Sequence, residues 1–63
     1  MSEDINKILE ESINKKVVLF CTNKFVYNCK IEKVFGDWVQ FLDLKKGYTK
    51  IIKCSEISEV QFL

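Results

Sequence analysis

The chain has 63 residues, 48% of them hydrophobic and 13% aromatic, with no Pro, two Gly and a formal net charge of +1. This composition excludes a disordered or collagen-like chain, and no apolar run approaches the ~18 residues that a membrane-spanning helix needs. One domain over residues 1–63 is implied, and so small a domain buries only about 60% of the surface its unfolded chain exposes, so a partner or self-association is expected.

The charge is unevenly divided. Residues 1 to 14 carry −3, whereas residues 15 to 63 carry +4, from nine Lys against five acids. At this magnitude the basic part reads equally well as an ordinary solvated surface or as an electrostatic footprint for nucleic acid. Cys21, Cys29 and Cys54 are odd in number and lack a C-x-x-C spacing, which argues against a secreted disulfide framework. Each reads as a small buried hydrophobe in a reducing compartment. Without a His, a zinc site would need a fourth ligand from Asp or Glu, and neither metal nor cofactor is expected. The acidic start is unlike a signal peptide, and a soluble cytoplasmic protein is the expectation.

Ser2 is a natural N-cap, followed by Glu3 and Asp4 where the helix dipole favours negative charge. Ile5, Ile8, Leu9 and Ile13, with Ser12 between them, form one apolar stripe at helical spacing. A helix over about 3–14 is predicted, closed by Asn14-Lys15, with Lys15 and Lys16 complementing its negative end. Too short to be stable alone, it should dock across an open end of the remaining structure.

Residues 16 to 22 read as a central strand apolar on both faces, with Val17, Leu19 and Cys21 on one and Val18 and Phe20 on the other. A turn at Thr22-Asn23-Lys24 leads into a long hairpin from Phe25 to Leu44. Its first arm alternates Phe25, Tyr27, Cys29 and Ile31 against Val26, Asn28, Lys30 and Glu32. Ile31 and Val34 are three apart and share a face only if a bulge falls at Glu32-Lys33, which bends the strand. Gly36-Asp37 supplies the turn, and the second arm alternates Trp38, Gln40, Leu42 and Leu44 against Val39, Phe41 and Asp43. Lys45-Lys46-Gly47 is a basic turn. Tyr48 to Cys54 alternate as a fourth strand, Ser55-Glu56 is a clipped connection, and Ile57, Val60 and Phe62 mark a fifth. The predicted fold is mainly β: a small, strongly bent, five-stranded antiparallel barrel over about 16–63 with one N-terminal helix.

Two stretches carry a resemblance over nearly the whole of this pattern. Cys29-Lys30-Ile31-Glu32 with Val34-Phe35-Gly36-Asp37-Trp38-Val39 is similar to the second strand and following turn of the Sm-like family, nearest its bacterial RNA-binding Hfq type. Ile52-Lys53-Cys54-Ser55-Glu56-Ile57-Ser58-Glu59-Val60 resembles the family's stretch between the fourth and fifth strands. Each turn is one residue longer than the family's, and Cys29 and Cys54 replace its usual Gly and His. The resemblance implies a ring of six or seven subunits, with the fourth strand of one pairing with the fifth of the next. It also implies binding of single-stranded RNA, U-rich or A/U-rich, at a pore lined by Gly36, Asp37, Trp38, Lys53 and Cys54. Within that set Trp38 takes the place of a base-stacking aromatic and Lys53 that of a basic pore residue.

From the residues alone, Trp38 reads equally as a stacking platform or as a core or interface aromatic. Lys45, Lys46, Lys50 and Lys53 read as a phosphate track or as solvated lysines that protect a sheet edge. With no His, no Ser or Cys beside an identifiable base and no phosphate loop, an enzyme is not expected. Two functions remain: an Sm-like ring acting on RNA as a chaperone or processing accessory, or an SH3-like small barrel that binds protein without RNA.

Overall fold

A computed structural model describes residues 2–63, with side chains from residue 5 onward. The expected cap by Ser2, Glu3 and Asp4 rests on side chains outside that range. Helix α1 spans Ser2–Glu11 and is followed by β1 (Lys16–Cys21), β2 (Val26–Phe35), β3 (Trp38–Asp43), β4 (Thr49–Lys53) and β5 (Ile57–Phe62). A single 3-10 turn, Cys54–Glu56, joins the last two strands.

The helix stops earlier than its apolar spacing implies, because Ser12 N–H bonds to the Leu9 carbonyl (3.0 Å) and Lys15 N–H to that of Ser12 (2.9 Å). Asn14 takes the left-handed conformation, φ 70°, a role Asn tolerates at helix ends. Ile13 therefore lies past the helix and is 38% exposed instead of completing the stripe. The last helical turn carries no basic residue, so Lys15 and Lys16 follow the helix end without belonging to it. The stripe that remains places Leu9 and Ser12 at full burial, with Ile5 packed against the core. Ser12, just past the helix, satisfies its hydroxyl by donating from Oγ back to the Ile8 carbonyl at 2.6 Å.

The five strands form one antiparallel sheet in the order β4-β3-β2-β1-β5. β1 is internal and buried on both faces as expected, while β2 is the middle strand. Along β2 and β3, Ile31 pairs with Phe41 and Lys33 with Gln40, leaving Glu32 unpaired. This is the expected bulge, and it returns Val34 to the face of Ile31, opposite Val39. The resulting bend lets one face of the sheet enclose Leu9, Val17, Leu19, Cys29, Ile31, Val39, Phe41, Cys54 and Ile57. Helix α1 lies against β2, β5 and the 3-10 turn, covering one end of that core. The sheet curls without closing, so β4 and β5 remain its two edges. No described helix is long and apolar enough to cross a membrane.

Candidate nucleic-acid interface

The β2–β3 turn sets one side of the candidate site. Gly36 has φ 57° at the first central position of a two-residue connection, where a positive φ matches the twist of the flanking strands. Phe35 and Trp38 flank the turn as register partners. Trp38 is also opposite Lys53 on β4, so three strands deliver Phe35, Trp38 and Lys53 to one row. Alternation along β3 turns Val39, Phe41 and Asp43 into the core and leaves Trp38 on the outer face, 41% exposed. Trp38 is therefore a surface aromatic. Lys53 Nζ lies 5.6 Å from its ring centroid, a cation–π contact between exposed groups.

Gly36, Asp37, Trp38, Lys53 and Cys54 are brought together although the two stretches are well separated in sequence. Their link is a main-chain hydrogen bond, from Cys54 N–H to the Asp37 carbonyl at 2.6 Å. The Cys54 side chain takes no part in the surface: it is 2% exposed and packs in the core. Burial, then the negative charge of Asp37, pushes its thiol pKa up. Cys54 thus anchors the loop while Gly36, Asp37, Trp38 and Lys53 form the exposed patch.

Phe35 was missing from the residues singled out in the sequence. It is 43% exposed and adjoins Trp38, and the signal for it was the bulge itself, since a reset of alternation that turns Val34 inward turns Phe35 outward. The basic turn behaves differently from Lys53. Lys45 and Lys46 sit at the far end of β3, in a turn fixed by Asp43, whose Oδ1 accepts both their backbone N–H groups at 3.0 and 3.1 Å. Lys50 faces inward, donating to Tyr27 Oη at 3.2 Å. The four lysines therefore belong to two separate regions.

The chemistry open to the exposed patch is the holding of a planar ring against Trp38 and of an anion beside Lys53. Burial, the leading cause in each case, raises the pKa of all three thiols, that of Cys29 to about 12, which keeps them protonated and weakly nucleophilic. Among the described residues no group of three or more His, Cys, Asp or Glu side chains is arranged to hold a metal ion. No protein-family model, curated protein or solved structure matches the chain.

Proposed function

We propose that the chain assembles into a ring that binds short single-stranded RNA, with bases stacked on Trp38 and phosphates met by Lys53. The observation that carries this reading is the exposed Trp38–Lys53 pair beside the Gly36-Asp37 turn. Base–aromatic stacking is worth about 1–3 kcal/mol per base and tolerates any sequence, so a chain of net charge +1 can hold RNA when a ring repeats the pair. Asp37 and Glu56 oppose the binding, which makes it weak to moderate and sensitive to salt. A preference for U-rich or A/U-rich strands follows from the Sm-like resemblance alone.

The two open edges support the ring. They are different surfaces, so association is head-to-tail, and a head-to-tail contact makes a ring where its rotation closes. On the inner face β4 presents Ile52, opposite Val39, and β5 presents Val60 and Phe62, opposite Leu19 and Val17. An antiparallel register with Ile52 beside Val60 of the next copy sets Lys53 beside Glu59 of that copy. Six subunits stand slightly ahead of seven. As a cytoplasmic RNA chaperone or processing accessory, such a ring needs no cofactor.

Titration of labelled U-rich and A-rich oligonucleotides at 20 to 300 mM salt tests the reading, with native mass spectrometry of the same samples. Trp38→Ala should weaken binding by about 1–3 kcal/mol with the oligomer intact. Lys53→Ala should also weaken it and flatten the salt dependence by ~0.7 in log–log slope, the contribution of one phosphate contact. Failure of the wild-type protein to bind any single strand at low salt would hand the assignment to a protein-binding barrel. That second reading draws on the β5 end, where Phe62 is 56% and Leu63 75% exposed.

A further inference from the structure

At the end of β2 remote from the Gly36-Asp37 turn, a cleft of about 460 Å3 opens between the β1–β2 loop and the β3–β4 turn. Its volume falls within the roughly 300–1,000 Å3 of small-molecule sites. Phe25, Tyr27, Asn28, Lys45, Lys46 and Lys50 line it. The aromatic wall is built and not incidental: the Phe25 and Tyr27 rings lie 6.4 Å apart, and Tyr27 is backed by the buried Phe41 at 5.3 Å. Phe25 nevertheless keeps 61% of its surface exposed.

The cationic side of the cleft is equally well placed. Lys50 Nζ lies 4.8 Å from the Tyr27 ring centroid and within hydrogen-bond reach of its hydroxyl, which fixes one ammonium at the inner wall. Lys45 and Lys46 project from a turn held by three bonds to Asp43, two to Oδ1 and one from Gly47 N–H to its carbonyl at 2.7 Å. Asp43 is the one acid in the wall, 3% exposed, with its Oδ1 occupied by those backbone groups. Lys45 and Lys46 thus share a space the size of one small molecule with the exposed Phe25 ring, and the Lys50 ammonium, resting on Tyr27, closes its inner end.

We propose that this cleft binds a free nucleoside 5′-phosphate. The base lies against the exposed Phe25, beside the edge of Tyr27, and Lys45 and Lys46 neutralise the phosphates together with the Lys50 ammonium held at the Tyr27 hydroxyl. Inorganic phosphate or an acidic side chain would leave the exposed Phe25 unused, and an uncharged aromatic would leave Lys45 and Lys46 unused.

Two-dimensional amide NMR of the full chain, titrated at low salt with ADP, adenosine and pyrophosphate, tests the assignment. ADP should shift the amides of residues 25–28 and 45–50 and bind at least tenfold more tightly than either fragment. Lys45→Ala combined with Lys46→Ala should weaken ADP at least tenfold, and Phe25→Ala at least fivefold. All three side chains are exposed, and the same spectra report that each variant is folded. Pyrophosphate or adenosine binding as tightly as ADP, ADP binding indifferent to these variants, or no shift at millimolar ADP would each overturn the proposal. So would a single-stranded oligonucleotide that takes these residues in preference to ADP. The result is independent of Trp38 and Lys53, at the other end of β2, so loss of the RNA reading leaves it standing.

Discussion

At the scale of single residues, the three thiols and one carboxylate have the clearest consequences. Cys21, Cys29 and Cys54 are 7%, 0% and 2% exposed. A thiol reagent at pH 7 should therefore modify none of them in the folded protein and all three in urea, with native labelling as fast as a free thiol as the contrary result. The raised pKa of Cys29, about 12 against an unfolded value of 9.0, also sets a pH dependence. Both states are protonated below pH 9, so the thiol's full contribution to stability is present there. Between pH 9 and 12 only the unfolded state ionises, and stability falls by up to about 1.4 kcal/mol per pH unit for this group. Urea unfolding of wild type and Cys29→Ala at pH 8 and pH 10.5 should show the smaller fall in the variant. Asp43→Ala leaves the Lys45 and Lys46 N–H groups without their acceptor and should cost about 1–3 kcal/mol, whereas Asp43→Asn, which keeps an oxygen in place, should cost less.

At the scale of elements, the helix and the β2–β3 turn depend on different things. Helix α1 has ten residues and would be marginal in isolation, so its persistence comes from Leu9, fully buried against the sheet. Leu9→Ala should cost about 2–5 kcal/mol. Against the roughly 3–9 kcal/mol expected for a domain of this length, that change should unfold much of the population. Helical and aromatic circular dichroism should be lost in one urea transition; a sheet signal that outlasts the helix signal would mean that the two are uncoupled. At Gly36 an added Cβ meets no atom within 4 Å, so the cost of Gly36→Ala is conformational, about 1–2 kcal/mol for a left-handed L-residue. Because Gly36 aims the chain into Trp38, the same variant should also weaken any ligand held there.

At the scale of the whole molecule, one curled sheet ends in two unpaired edges, with Ile51, Phe62 and Leu63 exposed along or beside them. Edges of this kind are covered, charged or paired in stable proteins, and here apolar residues stand beside Lys50 and Lys53 on β4 and Glu59 on β5. Phe62→Asp places a charge on the inner face of the β5 edge, opposite Val17. If the proposed ring forms through this edge, the variant should be monomeric in native mass spectrometry where the wild type is not, while retaining the β-sheet circular dichroism. A wild-type protein that is monomeric at micromolar concentration would rule out the ring.

Local patterns in the sequence were enough to specify the strands, because period-two alternation reports which side chains a sheet buries whatever lies across from them. They located the bulge at Glu32 as well, since Ile31 and Val34 can share a face in no other way. Helix length was not determined so well: Ile13 continues the apolar spacing, but a left-handed Asn14 and the Asn14 N–H bond to the Ile31 carbonyl at 2.7 Å divert the chain first. That bond joins residues far apart in sequence, and no window of the chain contains it. The surface location of Trp38 and the burial of Cys54 were likewise decided by tertiary structure. Alternation separates a strand's two faces without naming the inner one, and only the core that Val39 and Phe41 share with Leu9, Val17, Leu19 and Ile31 chooses. The cleft at Phe25 and Lys50 belongs to the same class, because its walls come from three segments that meet only when the sheet bends.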